Sequence, residues 1–340
     1  MMQRLAGLPT GQRLMIFGFI AVGGLALLIG VTVLLSLLTV NTSPRSVAVP
    51  IAEGVTVTEY AALPGDDAYP AALVAAPDGT VYTASYSSGE VFIISANGTV
   101  SPIPNTRDTF GSVAGLVYDD DTQTLMVLDR TAGTDSTVSG ATFYRLSPDG
   151  QIELTSRLTR ERGTLAFNGL ARDAQGYLYS ADLLGAVWRF DPDGGNAAKW
   201  WEAPRTAGAD APVITDVAYD PTADALYASD SRGNTLYRLD PQSGAGDLIY
   251  QFTGTQNPPG LAGLTIGADG TLYVTALDEK ALMTLREGQL VYLAGLFRGP
   301  WDAAILPDGR VLVSNIDSRA LATPGVSPQL PFGIDVVALP

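Results

Sequence analysis

The chain of 340 residues contains neither cysteine nor histidine. Without cysteine there is no disulfide, no thiolate metal site, no lipid-modified cysteine and no thiol nucleophile. The absence of histidine excludes a Ser–His–Asp triad, the usual general base near neutral pH and the commonest transition-metal ligand. Catalysis in such a chain rests on carboxylates, lysine, tyrosine or an oxygen-ligated metal. Positive charge is also scarce: 20 Lys and Arg stand against 35 Asp and Glu, a net charge of −15. An acidic surface repels phosphate backbones, so nucleic acid is excluded as a partner, while cations and basic protein surfaces remain open.

Charge is missing altogether from residues 14–40, LMIFGFIAVGGLALLIGVTVLLSLLTV. A helix over this run would be roughly 40 Å long, enough to span a bilayer with some tilt. A secretory signal core is about 7–15 residues, so the run reads as an anchor that stays in the membrane. Arg4 and Arg13 precede it and Arg45 follows. The positive-inside bias places residues 1–13 in the cytoplasm as a short N-terminus and everything after residue 41 outside. Residues 41–54, rich in Pro, Ser and Gly, read as a linker.

What fills the rest of the chain is repetition. Six segments align: LVAAPDGTVYTAS from 73, LVYDDDTQTLMVLD from 116, LARDAQGYLYSAD from 170, VAYDPTADALYASD from 217, LTIGADGTLYVTA from 264 and AAILPDGRVLVSN from 303. Each reads as strand, polar turn and strand. A third strand follows in FYRLSPDG, VWRFDPDGG and LYRLDPQSG, and a fourth in QIELTSRL, DLIYQFTG and QLVYLAG. Four short strands in about 40–50 residues, repeated, indicate a β-propeller. Strands apolar on both faces, such as LYVTA, suit blades packed face to face. The expected fold is therefore all-β: a six-bladed propeller of four-stranded antiparallel blades over residues 55–340, preceded by one transmembrane α-helix. Residues 55–63 and the C-terminal IDVVALP are both strand-like, and either or both could close the ring.

NGLARDAQGYLYSAD and TDVAYDPTADALYASDSRGNTLYRLDP resemble the regucalcin/gluconolactonase family and its strictosidine-synthase-like and NHL-repeat relatives. The resemblance covers residues 55–340 and implies a six-bladed propeller that serves calcium-dependent lactonases, synthases and non-catalytic binding modules alike. Lactonases of this kind hold one divalent metal at the channel mouth through a Glu, an Asn and an Asp. Asn168 matches the Asn. Thr215 occupies the position matching the Asp, with Asp216 one residue on, and Ala71 stands at the first-blade position.

Because the first two strands of a blade are antiparallel, the start of one lies beside the end of the other. One rim of the ring should then gather Asn168, Thr215 and Trp301 with Asp216 and Asp302 one residue on. Asp129, Asp182, Asp230 and Asn315 should join them from second-strand ends. Two uses are open for these carboxylates: each satisfies backbone N–H groups in its own loop, or together they hold a hard cation such as Ca²⁺. In the second case Asn168 and Asp216 are the leading ligands, with Asp182, Asp230 and Asp302 behind them. Asp119–Asp121 reads as a hairpin turn, and the polar loop Arg130–Gly140 is placed to cover the mouth. On alternation, one of Trp200 and Trp201 should point outward as a partner surface. Three functions remain open: a membrane-tethered extracytoplasmic module binding a small molecule or protein, a metal-dependent lactonase-type hydrolase, and a structural subunit of a membrane complex.

Overall fold

The computed structural model describes residues 21–32, 47–131, 138–161, 165–205, 210–323 and 326–340. The chain divides into two units, residues 1–44 with 318–329, and residues 45–317 with 330–340. In the first unit, residues 21–32 are an exposed helix. Ser318–Ala322 form a helix of a little more than one turn. Among the described residues no helix is long and apolar enough to cross a membrane. The rest of the expected span, residues 14–20 and 33–40, lies outside the described residues, as do 132–137 of the loop expected over the mouth.

The second unit is a six-bladed propeller. Two strands come first, β1 (Val49–Pro50) and β2 (Thr56–Leu63). Blade 1 follows as β3 (Pro70–Ala75), β4 (Val81–Ser85), β5 (Val91–Ile94) and β6 (Val100–Pro102). Blade 2 is β7 (Val113–Asp119), β8 (Thr124–Asp129), β9 (Val138–Leu146) and β10 (Ile152–Glu161), and blade 3 is β11 (Phe167–Arg172), β12 (Leu178–Asp182), β13 (Ala186–Phe190) and β14 (Ala198–Glu202). Blade 4 is β15 (Ile214–Asp220), β16 (Ala225–Asp230), β17 (Thr235–Leu239) and β18 (Gly246–Gln251). Blade 5 is β19 (Leu261–Ile266), β20 (Leu272–Ala276), β21 (Ala281–Arg286) and β22 (Gln289–Gly295), with β1 added at its outer edge.

Blade 6 closes the ring. Its three inner strands are β23 (Pro300–Ile305), β24 (Val311–Asn315) and β25 (Phe332–Ala338), and its outer strand is β2 from the other end of the sequence. Both candidate closing strands are thus used, paired antiparallel from Thr56↔Ala338 to Leu63↔Phe332.

The core lies between blades. One cluster joins Tyr82 and Val91 of blade 1 to Leu116 and Tyr144 of blade 2, and another joins Tyr179 and Val187 of blade 3 to Leu226 and Tyr237 of blade 4. Tyr69 before blade 1 meets Phe332 of blade 6 with ring centroids 4.5 Å apart. This is why β4, β12, β20 and β24 are buried at every position, on both faces. On the side opposite the expected rim, all six turns between first and second strands are pinned by one device. Asp78, Asp119, Asp173, Asp220, Asp269 and Asp308 each accept the N–H two residues ahead. The Asp119–Asp121 run is therefore a turn, as its spacing suggests.

Alternation fails at the paired tryptophans. Trp201 pairs with Val187 and Lys199 with Trp188, so Trp200 is an extra residue in a β-bulge. Both rings turn inward: Trp200 meets Tyr179 at 5.1 Å and Trp201 meets Tyr237 at 5.0 Å. The expected outward tryptophan is absent because the bulge breaks the period of two.

Closure by β2 makes its buried Leu63, 2% exposed, part of the core. Leu63→Ala is expected to lower unfolding free energy by about 2–5 kcal/mol, the range for a buried leucine, measured by urea denaturation.

Candidate binding site at the channel mouth

Most of the second-strand ends share one task. Asp129 accepts from the backbone N–H groups of Gly111, Ser112 and Thr131 at 2.9–3.1 Å and from the Thr131 hydroxyl. Asp182 accepts from the N–H groups of Ala166 and Leu184 and from the Trp188 indole. Asp230 accepts from Val213, Arg232 and Gly233. In blade 6, Asn315 accepts from Arg298 N–H and donates to Asp335. In blade 1, Ser85 donates to Asp67 carbonyl oxygen and accepts from Ser87 and Ser88 N–H. The three aspartates and Ser85 each tie the loop entering the blade to the turn leaving its second strand, while Asn315 ties the entering loop to β25. A buried carboxylate bonded to several N–H groups satisfies donors that would otherwise lose water without replacement.

Blade 5 departs from this pattern. Its second strand ends in Ala276, and its loops are joined by backbone bonds from Leu277 to Gly260 and from Asp278 to Pro259. There a cavity of about 430 Å³ opens on the rim, lined by Thr215, Ala262 and Trp301 with Arg232, Asn234 and Asp278 among others. Apolar walls come from Leu183, Val213 and Leu277. Thr215 and Trp301 were expected at the mouth; Arg232, Asn234 and Asp278 were not. Arg232 and Asn234 come from the turn between β16 and β17 and Asp278 from that between β20 and β21, positions that the repeat alignment did not mark.

Asp216 and Asp302 sit elsewhere. They line a central cavity of about 410 Å³ together with the later residues of the six first strands, such as Val74, Tyr118 and Ile305. Every first strand carries a bulge at this level. The six strands crowd together here: a Cβ on Gly115 would lie 2.5 Å from Leu170 Cβ, and one on Gly263 would lie 2.6 Å from Asp302 Cα. The two aspartates exploit that closeness. Asp216 accepts from Val217 of its own strand at 2.8 Å and from Leu264 of blade 5 at 2.7 Å. Asp302 accepts from Ala303 and, at 2.8 Å, from Leu73 of blade 1. Burial pushes the Asp216 carboxyl up to about 7. Asp302 is raised as well, by burial first and then by the charge of Asp216.

Asn168 is brought next to this pair. Its Nδ2 donates to the Thr215 carbonyl at 2.5 Å, and Gly169 presses on the Asp216 carboxylate. Asn168 Oδ1 is buried without a partner. That single oxygen suits a hard cation, but both Asp216 oxygens already accept N–H bonds. Among the described residues no three His, Cys, Asp or Glu side chains are placed to share a metal. The residues present do not make the donor set of a calcium site, which takes six to eight oxygens.

No family model and no curated protein matches the sequence. Solved structures do match the fold. A gluconolactonase from Xanthomonas campestris aligns over 88% of this chain and 99% of its own, with TM-score 0.59 and 17% identity. A catalytically inactive virginiamycin B lyase from Staphylococcus aureus aligns over 84% and 100%, with TM-score 0.57 and 14% identity. The allergen Mala s 1 of Malassezia sympodialis aligns over 82% and 97%, with TM-score 0.61 and 12% identity. At these identities the likeness shows a shared fold and no more.

Two outcomes test the assignments. Asp230→Ala strands three N–H groups and should cost about 2–4 kcal/mol in chemical denaturation. Asp216 holds its proton more tightly folded than unfolded, so its contribution to stability is complete below the ordinary carboxylate range and is lost as pH rises through about 7. The melting temperature should fall by roughly 5 °C between about pH 5 and pH 8, and less in Asp216→Asn.

Proposed function

We propose that the chain is a membrane-tethered, extracytoplasmic binding module that takes a small molecule at the rim cavity of blades 4 to 6. The observation that carries this reading is the cavity itself, which opens on the rim beside the loops of blade 5. Its volume of about 430 Å³ is of the size that accepts small ligands. Trp301 offers an aromatic face, Leu183 and Leu277 offer apolar walls, and Arg232 and Asp278 offer opposite charges. A ligand with an apolar body and one charged or hydrogen-bonding end fits that lining. Residues 14–40 supply the tether, with residues 1–13 on the cytoplasmic side. A protein partner in or near the membrane fits the same placement.

A metal-dependent lactonase-type hydrolase is the second reading. It draws on the likeness to a gluconolactonase and on the orphaned Asn168 Oδ1. The spent oxygens of Asp216 weigh against it, and no step is derived through a metal.

The test uses the four tryptophans of the full chain labelled with 5-fluorotryptophan. Trp301→Phe identifies the rim resonance. A panel of aromatic and alicyclic carboxylates and amines is then titrated. Saturable movement of the Trp301 resonance alone by some member supports the reading. A panel that leaves it unmoved, or moves all four resonances together, contradicts it.

A further inference from the structure

The rim face of the propeller carries exposed leucines where the opposite face carries aspartates. Leu184 lies in the turn between β12 and β13, Leu296 follows β22, and Leu330 precedes β25, and they are 45%, 61% and 46% exposed. All three connections lie on the rim. Beside Leu296 runs the entering chain, since Val49 pairs with Gly295. Val47, Val49 and Ile51 of that arm are exposed too, at 40–55%. The six turns of the opposite face each present at least one aspartate, from Asp78 round to Asp308.

Leu296 is unusual in backbone as well as in exposure. Its φ of 62° lies in the left-handed region, where glycine or asparagine is normal and leucine is strained. Neither burial nor backbone preference accounts for a leucine there. Lys280 lies in the turn between β20 and β21 with exposed Asp278, and its carbonyl accepts the N–H of Phe297.

We infer that this corner of the rim, the β1 arm with Leu296, rests on the lipid bilayer. The inference builds on the tether reading of residues 14–40. Only residues 41–48 separate the apolar run from β1, and fully extended they reach about 28 Å. A tether that short brings the β1 edge of blade 5 close to the membrane and sets which face can meet it. Exposed aliphatic side chains at such a boundary insert their apolar area at the headgroup level, as interfacial segments do.

The absence of native cysteine makes the test direct. Single-cysteine variants of the full chain, Val49→Cys, Leu296→Cys, Asp149→Cys and Ala26→Cys, are labelled with an environment-sensitive fluorophore. They are reconstituted into phosphatidylcholine–phosphatidylglycerol vesicles carrying nitroxide lipids. Melting curves confirm that each variant is folded, and the two rim positions serve as independent probes. The expected result is quenching by roughly half or more at Val49 and Leu296 by shallow nitroxides, at Ala26 by deep ones, and none at Asp149. Quenching at Ala26 with none at Val49 and Leu296 overturns the docking and leaves the tether standing. Loss of quenching at all positions, with the protein remaining in the supernatant, overturns the tether and the docking together.

Discussion

Everything in the propeller depends on how closely six first strands approach one another around the axis. At the level of Gly115, Gly169 and Gly263 there is no room for a side chain between neighbouring strands. Where the column carries Asp216 and Asp302 instead, each carboxylate bonds its own strand and the next, replacing steric closeness by two hydrogen bonds. The result is a narrow waist that sets the channel's two ends apart. One end is a shallow cavity ringed by acidic turns, and the other is the rim on which ligands and membrane would meet the protein.

The rim carboxylates answer a different constraint. In a propeller each blade is entered and left on the rim, so two loops per blade must be held against the same strand end. Asp129, Asp182, Asp230 and Ser85 do this with one side chain apiece, and Asn315 ties the entering loop to β25. In blade 5 the entering loop is held by backbone bonds and by the Asn234 side chain of blade 4, and a cavity opens beside it.

Much of this was legible from the repeat. The six strand–turn–strand segments, the four-stranded blades and the aspartates at the opposite turns follow from spacing and from apolar runs such as LYVTA. Other features needed coordinates. The closing strand β2 lies far in sequence from β25, and no local pattern distinguishes its pairing from an extra strand. Trp200 and Trp201 misled because one inserted residue inverts alternation, and a bulge has no clear composition. Asp216 and Asp302, one residue past the strand openings, looked like rim groups. The bulge at that point of every first strand turns them toward the central cavity. Of the candidate metal pair, Asn168 and Asp216 do come together, but hydrogen bonds to neighbouring strands occupy the carboxylate.

The central claim is that the acidic residues of the channel serve the fold by accepting hydrogen bonds from backbone N–H groups. Isothermal calorimetry of the full chain with calcium, run beside melting curves with and without chelator, tests it most directly. The account predicts no saturable heat at micromolar calcium and a melting temperature that chelator leaves unchanged. Micromolar binding that raises the melting temperature and disappears in Asn168→Ala, with that variant still folded, would contradict it.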